Sequence, residues 1–323
     1  MSEDAADTPI AELEELYRSM VRLRVVEDTA YSLFLQGHIP GTTHLYQGQE
    51  AVAVGVCSML GDNDAVAATY RGHGWALALG MSPTALIGEL CGRTIGVCGG
   101  RAGSMNIADL ENRLLGSFGI VGGSIGCATG AALASQLVKD GSVAVAAFGD
   151  GAVNQAYFHE CLNFAAVRAL PVVYVCENNL YGEWTSMFAV TGGQDIAGRA
   201  KAYGMPGMKV DGNDVLAVRE TAAEAVEHAR TGKGPVLLEA LTYRHKGHSR
   251  TDPGKYRPEE EVDEWLARDP LPRHAARLAE GRADAIQAEI DEEVKAAVEE
   301  ALASPFPEPE TLHADDPEFA WES

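Results

Sequence analysis

Two short motifs carry side chains able to hold a cation beside a phosphate. Gly149-Asp150-Gly151 and Asn178-Asn179 are separated by residues 152–177, and each follows an apolar run that reads as a strand. A carboxylate and a side-chain amide both offer hard oxygens, the ligand type magnesium takes, so Asp150 and Asn179 are candidate metal ligands. With one backbone carbonyl, that of Tyr181 being a candidate, an octahedral shell would still need oxygens from phosphates and water. Gly149 and Gly151 would let the backbone approach a diphosphate, with a helix amino terminus at Ala152 facing it. Either motif alone reads as an ordinary turn or loop; the pair at this spacing is the signal.

For these residues to meet, the chain must bring two strand ends to one edge. Strands are expected over 142–148 and 171–176 with a helix over 153–169 between them. A right-handed crossover sets two such strands side by side or nearly so, about 4.8 Å apart when adjacent, with their carboxyl ends opening on one edge. Further strands are expected over 64–69 and 235–242, and the alternation predicts an α/β fold, a mainly parallel sheet with helices on both faces. A helix over 11–36 stops at Gly37 and Pro40, and a second ends near Gly61. Ser82-Pro83 supplies an N-cap and a first-turn proline. The helix expected over 123–139 has a Gly- and Ala-rich face suited to close backbone packing. The division predicted is an α/β domain over 1–257, a helical extension over 258–304 and an acidic, Pro-containing tail over 305–323, weakly ordered or partner-bound.

With 323 residues, 46% of them hydrophobic, the chain can bury a full core. A net charge of -22 argues against nucleic-acid binding, which needs a basic surface. No apolar run approaches a membrane span, and the acidic residues 1–10 lack the layout of a signal or transit peptide, so a cytoplasmic protein with no membrane partner is expected. The six cysteines form no C-x-x-C pair and read as buried free thiols, Cys91 and Cys98 included. Neither G-x-G-x-x-G nor G-x-x-x-x-G-K-[ST] occurs, which weighs against nicotinamide and P-loop enzymes; Asp150 would also repel a pyrophosphate lacking a metal.

The Gly-Asp-Gly to Asn-Asn span resembles the thiamine diphosphate motif. Together with Cys176-Glu-Asn-Asn-Leu-Tyr-Gly182, Tyr243-Arg-His-Lys-Gly-His-Ser249, His44-Leu-Tyr-Gln-Gly-Gln-Glu-Ala51, Tyr70-Arg-Gly-His-Gly74 and Gly119-Ile-Val-Gly122, it is similar to the alpha subunits of pyruvate, branched-chain 2-oxo acid and acetoin dehydrogenase complexes. The likeness runs from about Leu16 to Leu271. It implies thiamine diphosphate and magnesium as cofactors, with Asp150, Asn179 and the Tyr181 carbonyl on the metal and Tyr70, Arg71, Arg244 and His248 on the diphosphate. Arginine and histidine can give phosphate charge-assisted hydrogen bonds. Gly119 and Val121 would lie against the aminopyrimidine, while His44 and His248 would serve proton or acyl transfer, and His73 is a weaker phosphate neighbour.

The resemblance further implies decarboxylation of pyruvate or cleavage of acetoin, with the acyl group passed to lipoamide. It implies a beta subunit in an alpha-two beta-two heterotetramer supplying the glutamate that activates the pyrimidine, so Glu50 and Glu177 are not assigned that role. A lipoyl-bearing acyltransferase would be the next partner. Asn106 stands where many relatives have histidine, and Gly182-Glu183 with Tyr256-Arg-Pro-Glu259 looks closer to bacterial acetoin-type chains, which favours pyruvate or acetoin over branched-chain acids. Ser249 matches a serine phosphorylated in some relatives and reads here as a loop serine. A non-catalytic scaffold is the alternative, against which the intact Asp150, Asn179, Arg244 and His248 argue.

Overall fold

The computed structural model describes residues 8–309. The chain opens with α1 (Ile10–Leu35) and α2 (Glu50–Cys57), enters β1 (Ala65–Thr69), and passes through α3 (His73–Ala78) and α4 (Pro83–Leu90) to β2 (Leu114–Phe118). It returns through α5 (Gly123–Val138) to β3 (Ala144–Gly149) and crosses by α6 (Ala156–Arg168) to β4 (Val172–Asn178). A hairpin of β5 (Tyr181–Gly182) and β6 (Thr185–Ser186) and the short α7 (Met187–Val190) precede β7 (Gly207–Asp211), α8 (Val215–His228) and β8 (Val236–Leu241). Helices α9 (Glu259–Leu266), α10 (Pro270–Ala275) and α11 (Arg282–Ala303) follow.

Six strands make one parallel sheet in the order β2-β1-β3-β4-β8-β7. Its inner strands β3, β4 and β8 are largely apolar at successive positions because both faces are covered. Val145, Val173 and Leu238 point into the core shared with α1, α2, α8 and α11, whereas Ala146, Tyr174 and Leu237 join the core under α5 and α6. Helix α11, expected as part of an extension, sends Ile286, Ile290 and Val294 into the first of these cores. No described helix is long and apolar enough to cross a membrane.

Several details depart from the expectations. The crossover helix does not start at Ala152: a tight five-residue 3-10 turn, Asp150–Asn154, follows β3, and α6 begins at Ala156. Helix α2 ends at Cys57 rather than near Gly61. On α5 the packing is done by Ile125, Ala128 and Ala132, while Gly126 and Gly130 face open space within this chain. Strands β2 and β7 and helix α8 were not anticipated; β2 is short and interrupted by Gly116, and β7 is short and carries the polar Lys209 and Asp211. The start of the expected tail is held: the Thr94 amide donates to the Pro305 carbonyl at 2.9 Å, and the Arg93 guanidinium lies 3.9 Å from the Phe306 ring centroid. The rest of that tail, from 310, and residues 1–7 lie outside the described residues. Ser82 caps α4 as expected, accepting from the Ala85 amide, and all six cysteines are free.

Candidate cation and diphosphate site

Because the strands are parallel, their carboxyl ends share one edge. From β1 the chain crosses to β2 on one side, and from β3 to β4 on the other, so the ends of β1 and β3 flank the point where the direction of winding reverses. Such a point leaves a crevice between diverging loops. Here it is a cleft of about 490 Å³. Tyr70 and Arg71 enter it after β1, Gly119 and Val121 after β2, and Gly149, Asp150, Gly151 and Ala152 after β3. Asn179 and Tyr181 enter after β4, Arg244 and His248 after β8, and His44 from the loop between α1 and α2. Apart from His73, the site residues expected from the sequence thus line one cavity.

One end of the cleft is built to take a cation. Gly149 pairs in register with Glu177, which sets Asp150 and Asn179 close together, and the Asn179 amide N–H donates to Asp150 Oδ1 at 3.3 Å. Burial pushes the Asp150 carboxyl up to about 6, against the pull of Arg244. The Asn179 Oδ1 atom is buried and has no hydrogen-bond partner among the described residues. A buried carboxylate beside an orphaned amide oxygen fits a hard divalent ion, which would satisfy both. Gly151 is needed here for a different reason from the one expected: an added Cβ would meet the Gly182 Cα at 3.1 Å. Leu180, between the two candidate ligands from this segment, adopts φ 72°, a conformation rare for a side chain of its kind and held by its N–H donating to Asn178 Oδ1 at 3.2 Å.

Beside this lies a positive region whose two arginines make no direct ion pair among the described residues. Arg71 and Arg244 are 4% and 2% exposed, so neither is a surface ion pair. Arg71 donates to the carbonyls of Leu45 and, at 2.8 Å, His248. Arg244 donates to His248 Nδ1 at 3.1 Å and to the Glu183 carbonyl at 3.0 Å. Burial, then the charge of Arg244, draws Arg71 down to about 10. Burial followed by Arg71 likewise lowers His44 to about 3 and His248 to about 4. The rings of His44, Tyr70 and His248 meet edge to face, His44 lying 4.6 Å from Tyr70 and 4.9 Å from His248. Buried guanidiniums that face carbonyls and imidazoles rather than carboxylates suit a polyanionic ligand.

His73 is not part of the cleft lining: it is fully buried, with Nδ1 3.1 Å from Glu27 and Nε2 2.9 Å from Ser104. Ser249 is half-buried in its loop. Glu50 is engaged by Arg24 at 2.5 Å. Three residues that sequence reasoning did not place in the site belong to it or brace it. Glu177 lines the cleft, its carboxyl pushed by burial to about 7 and bonded by the Tyr46 hydroxyl and, at 3.0 Å, Trp75 Nε1. Asp252 accepts from the His248 amide at 2.7 Å. Gln49 accepts from Asn179 Nδ2 at 2.9 Å. For Glu177 the available signal was its position in a strand that is otherwise apolar; for Gln49 there was none beyond the motif that holds it.

Comparison with known proteins places this geometry among relatives. The model of a family described as "Dehydrogenase E1 component" matches residues 18–310. The alpha subunit of acetoin:2,6-dichlorophenolindophenol oxidoreductase from Bacillus subtilis is 44% identical over 305 residues, 93% of this chain and 92% of the relative. The alpha subunit of the pyruvate dehydrogenase E1 component from Rhizobium meliloti is 42% identical over 307 residues, 93% and 88% of the two chains. A Cupriavidus necator acetoin:2,6-dichlorophenolindophenol oxidoreductase alpha subunit is 41% identical, covering 97% of each.

Proposed function

Since the chain belongs to the dehydrogenase E1 component family, we propose that it is the alpha subunit of a thiamine-diphosphate-dependent oxidoreductase that decarboxylates pyruvate or cleaves acetoin. The observation that carries the site assignment is the pairing, in one cleft, of a buried carboxylate and an orphaned amide oxygen with two buried arginines that make no direct ion pair among the described residues. Asp150, Asn179 and the Tyr181 carbonyl would hold magnesium, and Tyr70, Arg71, Arg244 and His248 the diphosphate, with Gly149, Gly151 and Ala152 forming the adjoining turn. Gly119 and Val121, on the loop after β2, would face the aminopyrimidine.

When bound, thiamine diphosphate supplies a nucleophilic carbon and the electron sink for the pair released at the substrate carbonyl. This chain supplies charge and proton placement. Arg71 and Arg244 neutralise the diphosphate in a site that excludes most water, where their hydrogen bonds count for more than in solution. With its pKa at about 4, His248 is neutral near pH 7; Arg244 donates to Nδ1, so the ring proton sits on Nε2 and can be donated. His44 is also neutral, and its Nδ1 is buried without a partner among the described residues, which leaves it free to exchange a proton with a bound substrate.

The family resemblance implies that the glutamate activating the pyrimidine comes from a beta subunit; Glu177 in the cleft wall is held by Tyr46 and Trp75. The surface supports such a partner: Ile120 and Val121 at the cleft are 68% and 41% exposed, Trp184 nearby in sequence to the lining Glu183 is 61% exposed, and Gly126 and Gly130 leave an open track on α5. A lipoyl-bearing acyltransferase would take the acyl group in turn.

The test is steady-state reduction of an artificial electron acceptor by the chain co-expressed with its beta subunit, with thiamine diphosphate and magnesium, comparing pyruvate, acetoin and a branched-chain 2-oxo acid. Turnover of pyruvate or acetoin supports the proposal. Turnover of the branched-chain acid alone would replace the substrate, and failure of the assembly to bind thiamine diphosphate would refute the site.

A further inference from the structure

Gln49 immediately precedes α2 and is fully buried. Its Oε1 accepts from Asn179 Nδ2 at 2.9 Å across 130 residues of sequence, while its own Nε2 is buried in the same cleft with no partner among the described residues. An asparagine amide presents two atoms of similar size and opposite polarity, and only the oxygen can bind a cation. The terminal torsion of asparagine is broad, so the side chain does not choose between them unaided. The bond from the Asn179 backbone N–H to Asp150 fixes where the residue sits, not which amide atom is offered. Among the described contacts of the Asn179 side chain, the bond to Gln49 makes that choice: with Nδ2 engaged, Oδ1 is the atom left unpartnered.

We propose that Gln49 is a positioning residue for the cation site, holding the Asn179 amide so that Oδ1 is turned to the divalent ion. The inference rests on the reading of Asp150 and Asn179 as cation ligands. The reverse arrangement, with Oδ1 on Gln49 Nε2, would offer an NH2 group to the metal and lose a ligand. The unpartnered Nε2 completes the device, because a phosphate oxygen or a metal-bound water accepting from it would pin Gln49 with Oε1 towards Asn179. Diphosphate and cation would then each favour the same orientation of one buried amide pair.

The test uses the assembled alpha-beta complex with thiamine diphosphate present, titrated with magnesium and separately with calcium. Affinity is read by calorimetry in the parent and in Gln49→Met, Gln49→Glu and Asp150→Ala. Gln49→Met, close in length but without the amide carbonyl, is expected to weaken magnesium binding about tenfold, the usual effect of losing a group that orients a ligand. Calcium, which accepts irregular shells where magnesium demands an octahedron, should lose less. Gln49→Glu keeps an acceptor for Nδ2 and should restore the parent's ratio of magnesium to calcium affinity, even if its added charge tightens both ions. Should Gln49→Met fail to assemble, Gln49→Asn, whose shorter side chain withdraws the carbonyl, is measured in its place. Equal losses for the two ions, or none, while Asp150→Ala weakens both, would overturn the role of Gln49 and leave the cation site standing. Unchanged binding in Asp150→Ala would overturn the cation site as well.

Discussion

Replacing Arg71 with methionine should separate ligand binding from fold stability. The guanidinium is buried and donates to two backbone carbonyls, those of Leu45 and His248. Burial and then Arg244 draw its pKa from the usual guanidinium range down to about 10, and at roughly 1.4 kcal/mol per pH unit this is about 3 kcal/mol of unfavourable charge burial. Methionine removes that term but leaves two carbonyls without their donor, at about 1 to 3 kcal/mol each. The effects oppose each other, so stability without ligand should fall by no more than about 3 kcal/mol. Binding has no such offset. Losing charge-assisted hydrogen bonds worth about 1.5 to 3 kcal/mol each should weaken diphosphate affinity at least about 100-fold if two are made. The assay pairs the urea midpoint of the alpha-beta assembly with calorimetric titration by thiamine diphosphate and by inorganic pyrophosphate at fixed magnesium. Affinity within about threefold of the parent, a difference of less than about 1 kcal/mol, would refute the assignment of Arg71 to the anion.

Four other outcomes are expected. Asp150→Asn removes a buried carboxylate that burial already holds at about 6, so stability without metal should not fall, whereas magnesium affinity should drop at least about tenfold, read by titration in the presence of thiamine diphosphate. His44 and His248 have folded pKa values of about 3 and 4 against 6.5 in the unfolded chain, so the unfolded state takes up protons first; stability present above pH 6.5 is lost as pH falls towards 4, and His248→Gln should flatten the unfolding midpoint against pH over that window. Ile120→Asp, at a position 68% exposed in this chain, should leave the chain's own melting temperature unchanged while reducing beta-subunit association in analytical ultracentrifugation. Leu180→Gly relieves a left-handed backbone at φ 72° and should raise stability by up to about 1 kcal/mol in urea unfolding; a loss would mean that the leucine side chain contributes more than its backbone strain costs.

The α/β architecture and the candidate ligands were legible because they rest on local order. Apolar runs such as Val145, Ala146, Ala147 and Phe148 announce a strand buried on both faces, and one helix plus one strand between Asp150 and Asn179 obliges the two ends to open on the same edge. Residue type then says what Asp150, Asn179, Arg71 and Arg244 can bind. What the sequence could not say is how each group is partnered, because those contacts cross the sheet order rather than follow the chain. Whether Arg71 and Arg244 face carboxylates or carbonyls, and are solvated or buried, depends on strands β1 and β8, which β3 and β4 separate in the sheet. The 3-10 turn at Asp150–Asn154 replaced the expected helix start at Ala152, and the close approach of Gly151 to Gly182 depends on the hairpin after β4. Gln49 belongs to the loop before α2, and only folding that loop over the ends of β4 and β8 brings its carbonyl to Asn179. Periodicity and spacing therefore determined which elements form and which residues share an edge, whereas charge burial, unpaired atoms and the facing of one amide emerged only from long-range packing, where desolvation and hydrogen-bond partners are decided.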